Sequence, residues 1–152
     1  MRVAEGDPLV PDVLALLHEH LAEMRRTSPP ESVHALDPYA LAAEGVLFLA
    51  AREDDGTLLG IGALKTLSPA EGELKSMRTA ASARGRGVAS TVLTALLEAA
   101  RSRGMSRVSL ETGTEPLFDP AVRLYRRHGF TPCAPFADYT DDPHSRYLTL
   151  VL

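Results

Sequence analysis

The chain has 152 residues and a mass of 16.4 kDa, with 45% hydrophobic residues, 24% charged residues and a formal net charge of −4. That composition excludes a disordered chain, and the length fits one domain, residues 1–152, able to bury roughly 70% of its unfolded surface. No apolar run approaches the ~18 residues of a membrane span. The first eight residues, Met1 to Pro8, lack the apolar core of a signal peptide. Cys133 stands alone, so no intramolecular disulfide forms, and a reducing, cytoplasmic setting is expected.

Charge is spread unevenly along the sequence. Residues 1–74 carry five Lys/Arg against thirteen Asp/Glu, whereas residues 75–130 carry ten against four. A basic middle third in an acidic chain suggests one local anionic partner and no general nucleic-acid surface; a solvated arginine face explains the charge equally well.

In chain order, Asp7-Pro8 and Pro11-Asp12 announce a helix, along which Leu14, Leu17, Leu21 and Met24 form an apolar stripe. Pro29-Pro30 stops it, because proline lacks the donor and clashes with the preceding turn. A short helix from Asp37 to Ala43 follows, ended by Gly45. Val46 to Ala51, Thr57 to Leu67 and Glu73 to Thr79 read as three strands. Their short connections make them antiparallel neighbours, which excludes a doubly wound sheet. Arg84-Gly85-Arg86-Gly87-Val88-Ala89-Ser90 then opens a long helix with a row Val88, Val92, Leu96, stopped by Gly104. Ser106 to Thr112 is a strand, Asp119-Pro120 caps a helix from Ala121 to His128, and Phe130 and Tyr147 to Leu152 supply the last strands. The expected order is β-α-α-β-β-β-α-β-α-β-β.

A strand, a glycine-bearing turn and a helix start together make an anion site. The first helical turn has unpaired N–H groups and partial positive charge, and glycine lets a phosphate approach the backbone. Arg84 and Arg86 add guanidinium donors suited to phosphate oxygens. Neither the P-loop pattern nor the dinucleotide fingerprint is present.

Arg84-x-x-Gly87-x-Ala89 after Met77-Arg78-Thr79 resembles the acetyl-CoA signature of the GCN5-related N-acetyltransferases (GNAT). Ala121 to Phe130, with Tyr125 in its helix and Gly129-Phe130 at its end, resembles that family's second hallmark. Ser28 to His34 is similar to a subgroup of small bacterial members whose substrate is unsettled. The resemblance implies an α/β (α+β) fold with a mixed, mostly antiparallel sheet of about six or seven strands flanked by four helices. It also implies that the backbone from Gly85 to Ser90, including Arg86, Gly87, Val88 and Ala89, holds a pyrophosphate. Met77 and Thr79 would pair with the pantetheine arm, and an N–H near Met77 or Arg78 would polarise the thioester oxygen. Tyr125 would protonate the departing thiolate. Many members hold pantetheine with an asparagine before the tyrosine helix; this chain has none there, and Phe118 or Asp119 is expected in its place.

Acyl transfer to an amine needs a base, because a lysine-type amine with a pKa near ~10.4 is protonated at neutral pH. Glu73 and Glu111 are the candidates, Glu111 slightly favoured; a surface carboxylate paired with an arginine is the plain reading of either. His18-Glu19-His20 lacks zinc-site spacing, so no metal is expected. His128 suits a helix C-terminus and Cys133 an inert thiol. His34 and Glu31 on one side, and Phe136, Tyr139, Asp138, Asp141 and Asp142 on the other, are candidate walls for a cationic acceptor.

The expected function is acetyl-CoA-dependent transfer of an acetyl group directly to a primary amine of a small molecule, amino acid or peptide. The rival reading is a non-catalytic acyl-CoA-binding or regulatory module. A nucleic-acid binder fits poorly, since aromatics make up 5% of the chain and none interleave with the Arg-Gly run. The apolar segment Tyr147 to Leu152 would pair two chains into a homodimer if it lies at a sheet edge.

Overall fold

A computed structural model describes residues 1–33 and 37–152. Strand β1 (Arg2–Glu5) precedes helix α1 (Pro11–Thr27), which starts on Pro11, where the missing N–H leaves no bond unmade. Helix α2 (Pro38–Leu41) is capped by the Asp37 carboxylate, which accepts from the Ala40 amide at 2.9 Å. Strands β2 (Val46–Arg52), β3 (Leu58–Ser68) and β4 (Glu71–Thr79) follow as antiparallel neighbours, and β4 begins two residues before the expected Glu73. Helix α3 (Val88–Ser102) crosses over to β5 (Arg107–Gly113), which lies parallel to β4. Helix α4 (Asp119–Arg127), the short β6 (Thr131–Pro132) and β7 (Ser145–Val151) complete the chain.

The described strands form one seven-stranded sheet in the order β1-β2-β3-β4-β5-β7-β6. Successive side chains of β2 point to opposite faces. Phe48 and Ala50 meet Val13, Leu16 and Leu17 of α1 and Leu41 of α2, while Leu47, Leu49 and Ala51 meet the α3 and α4 side. The sheet is thus sandwiched, and its two cores are separate. The buried stripe of α1 is therefore Val13, Leu16 and Leu17; Leu14, Leu21 and Met24 are only half-buried. In the second half of α1, Met24 borders a groove and Glu19 and Glu23 pair with Arg78 of β4.

Two further expectations are modified. Asp119 is the first residue of α4 and makes no cap bond, because its carboxylate is taken by Arg146 at 3.2 Å. Phe130 lies in the core, 2% exposed, and not in a strand. Strand β7 lies between β5 and the two-residue β6, which pairs with it only at Leu148 and Thr149.

The feature that positions everything else is an interruption. β4 and β5 pair only from Glu71↔Arg107 to Leu74↔Leu110, although β4 runs on to Thr79 and β5 to Gly113. Opposite β3, the step from Lys75 to Arg78 spans three residues where Ala63 to Ile61 spans two. The extra residue forms a bulge that includes Ser76, at φ +56°. A bulge bends its strand and turns it away from its neighbour, so β4 leaves β5 and a wedge opens between them.

Candidate active site

The wedge leads into two connected cavities. The larger is a groove of about 690 Å³ running from the start of α3, past Met77 and Thr79, to Tyr125. The smaller, about 110 Å³, lies beyond it and is lined by Glu73, Lys75, Glu111 and Tyr139. His20, Met24, Met77, Phe118 and Tyr125 border both and so mark the junction.

The groove fits a long, diphosphate-bearing thioester on three observations. Gly85 and Gly87 hold left-handed φ of +77° and +78°, with no heavy atom within 4 Å of where a side chain would begin. That leaves the backbone bare and approachable. Gly87 caps α3 without a side-chain bond, so the first-turn amides from Val88 to Ser90 face the groove end without an internal acceptor. Past Leu74, the edge of β4 that carries Met77 and Thr79 has lost its β5 partner, and it can accept an amide chain as an added strand.

Arg84 borders the groove, as expected. Arg86 does not: its guanidinium donates to Glu53 at 3.0 Å on the surface. Ser90 shares a 3.4 Å contact with His128, whose other ring nitrogen meets the Leu124 carbonyl at 3.0 Å, tying the starts and ends of α3 and α4 together at the groove mouth. Phe118, one of the two residues expected where many members have an asparagine, borders both cavities. Its ring lies so close to Gly113 that any side chain there would collide with it.

At the junction Tyr125 is 6% exposed and packs edge-on against Phe130 at 5.8 Å between centroids. Burial pushes its phenol pKa well up, which keeps the hydroxyl protonated. Glu73 is buried, and its Oε2 accepts from Tyr139 Oη at 2.6 Å and from Lys75 Nζ at 3.3 Å. Lys75 also donates to Tyr139 Oη at 2.9 Å. Burial, then the Glu73 bond, raise the Tyr139 phenol far above its ordinary value. Glu111 is half-buried on β5 and accepts from Ser145 Oγ at 2.7 Å. The two carboxylates therefore differ: one closes a buried network, the other stands where the strands part.

Sequence reasoning placed Tyr139 as a wall, and it stacks there with Phe136 and Tyr147. Asp142 instead accepts from the His144 amide, and Asp138 and Asp141 are exposed. Glu31 is exposed, and His34 lies outside the described residues. Cys133 is half-buried, and burial pushes its thiol pKa up, which disfavours the reactive thiolate.

Lys75 and His20 were missed. For Lys75 the signal was its adjacency to the cofactor strand. His20 carried no usable signal, since only the packing of α1 beside β4 brings it to the groove. Burial, then Arg78, drive its pKa down to about 4, so it is neutral at physiological pH. Arg78 bonds Glu23 through Nη1 and lies 3.5 Å from the Glu19 carboxylate through Nη2, while among the described residues its Nε and His20 Nδ1 are buried without a hydrogen-bond partner. Among the described residues no group of three His, Cys, Asp or Glu is placed to hold a metal, and no helix is long and apolar enough to cross a membrane.

Comparison with known proteins adds an independent line. The acetyltransferase (GNAT) family model matches residues 13–130. The chain is 51% identical over 142 residues to an uncharacterized N-acetyltransferase of Escherichia coli K12, YedL, covering 93% of this chain and 89% of that one. It is 49% identical over 137 residues to YsnE, an uncharacterized N-acetyltransferase of Bacillus subtilis 168, covering 90% of each. Among solved structures, a proposed acyl-CoA N-acyltransferase of Klebsiella pneumoniae superposes with a TM-score of 0.81 at 27% identity, over 99% of this chain and 97% of that one.

Proposed function

Because the chain belongs to the GNAT family of acetyltransferases, we propose that this acyltransferase, a single domain, takes its acetyl group from acetyl-CoA and moves it directly to a primary amine. The observation that carries this reading is the wedge after Leu74 and Leu110, which joins an anion-binding helix start to a cavity holding two carboxylates.

Acetyl-CoA is the donor substrate. The amides from Gly85 to Ser90, with Arg84, hold its diphosphate, and the open edge of β4 at Met77 and Thr79 takes its amide arm. The thioester then lies at the bulge, where a backbone N–H near Met77 or Arg78 stabilises negative charge on its oxygen. The acceptor ammonium loses one proton to Glu111, and the neutral amine attacks the thioester carbon. The C–N bond forms, the C–S bond breaks, and sulfur takes a proton from Tyr125. The phenolate is restored by the second proton the amine sheds. We assign the base to Glu111, half-buried where the strands part with the neutral Ser145 hydroxyl on its Oε2, and not to Glu73, which is buried with Tyr139 and Lys75 both on its Oε2.

The test is release of free thiol from acetyl-CoA across a panel of amines, with the acetylated product identified by mass. Amine-dependent thiol release with a matching acetylated product supports the proposal. Binding of coenzyme A without transfer to any amine would make the chain an acyl-CoA-binding module.

A further inference from the structure

The small cavity holds one charge that amine acetylation does not require. Glu73 and Glu111 suit a cationic acceptor; Lys75 opposes it. Its ammonium is 9% exposed and is held by Tyr139 Oη and Glu73 Oε2, with the Tyr139 ring 5.6 Å below it. A charge so anchored is stationary, and taking it out of water is unfavourable unless partners compensate. It stands immediately past the last β4–β5 pair, Leu74↔Leu110, so Lys75 and Glu111 are the next residues on the two parting strands. Parallel neighbours project to the same side, which sets a fixed cation and a carboxylate side by side across the opening of the wedge. Among the described residues the other basic group bordering the cavity is His20, which is neutral. For an acceptor with only an amine, Lys75 contributes like-charge repulsion at the reacting end. For an acceptor with a carboxylate one carbon away from its amine, the same charge is attractive.

Resting on the acetyltransferase reading, we propose that the acceptor is an α-amino acid, its ammonium turned to Glu111 and its carboxylate to Lys75, and that Lys75 is the residue that selects it. The cavity is small, about 110 Å³, which suits a small zwitterionic head group.

The test compares the common L-amino acids with their primary amides, which differ only in the carboxylate. Binding is measured by calorimetry on the coenzyme A-loaded protein, and kcat/KM by thiol release. A charge-assisted contact predicts about a tenfold or greater preference for the acid over its amide. In Lys75→Gln the preference collapses to near unity, and Lys75→Arg retains most of it. A merely structural counterion to Glu73 would lower acid and amide together and leave their ratio alone. Equal binding of acid and amide, or no binding of either, overturns the proposal, as does a ratio that survives Lys75→Gln. A clear acid preference in binding with no turnover would sink the acetyltransferase reading and leave this inference standing.

Discussion

Tyr125, Glu111 and Glu73 all line the small cavity, and their surroundings differ. Tyr125→Phe removes the hydroxyl but keeps the ring against Phe130, so it is expected to lower kcat roughly 10²-fold with coenzyme A affinity retained. Glu111→Gln is expected to lower kcat by about 10² or more, whereas Glu73→Gln should act mainly on acceptor KM through the loosened Tyr139 and Lys75. Steady-state kinetics on the three variants checks this; a larger kcat loss in Glu73→Gln would reverse the assignment of the base. His20 gives a pH signature of its own. Its pKa falls from 6.5 unfolded to about 4 folded, so the unfolded state binds the proton more readily in that interval. Stability is expected to be full above pH 6.5 and to decline as pH falls to 4, by about 3 kcal/mol in all. Denaturant titrations at stepped pH should show this slope, and His20→Asn should flatten it. Acid loss from Asp12 and Glu23, whose pKa values are held low chiefly by hydrogen bonds from Arg52 and Arg78, begins as pH falls through the ordinary carboxylate range and is complete only below it. None of these three environments is visible in the residue types alone. The mid-helix His-Glu-His shows no role until α1 is seen beside β4, with His20 on the groove.

At the scale of elements, the site is made by what two structures lack: β4 loses its partner, and α3 lacks a side-chain cap. Both are consequences of small local choices, a bulge at Ser76 and left-handed glycines at 85 and 87. Gly87→Val places a β-branched residue at φ +78°, where a non-glycine costs about 1–2 kcal/mol, and covers the amides of the first turn. Acetyl-CoA KM is expected to rise at least about tenfold with a small loss of stability. Gly113→Ala would push Phe118 into the junction of the two cavities. The glycine turn was legible because few reasons other than a close backbone approach put Arg-Gly-Arg-Gly between a strand and an amphipathic helix. The order of elements was legible too, from apolar spacing and turn residues. The bulge was not, since Lys75-Ser76-Met77 has ordinary strand composition, and its effect depends on register with β3. Arg86 shows the same limit: its type suits phosphate, yet the turn directs it to Glu53.

Over the whole molecule, the uneven charge now has a location. The basic middle third contains the turn at Arg84 and the helices α3 and α4 that border the groove. Coenzyme A at a hundredfold excess over its Kd is expected to add about 2.7 kcal/mol to stability. For a chain of this length that raises Tm by roughly 5–10 °C. Thermal denaturation with and without coenzyme A checks the shift, and Gly87→Val should lose most of it. Rising salt should weaken the binding step, because the diphosphate contacts are electrostatic and partly exposed. The sequence alone determined the family resemblance, the element order, the mixed sheet and the glycine turn before α3, because each depends on local spacing, turn chemistry and backbone freedom. Only the tertiary structure decided where β4 parts from β5, which carboxylate is tied up by Tyr139 and Lys75, and that His20 borders the junction. Those depend on register and on contacts between residues far apart in the chain, such as Glu73 and Tyr139, and no local pattern encodes them.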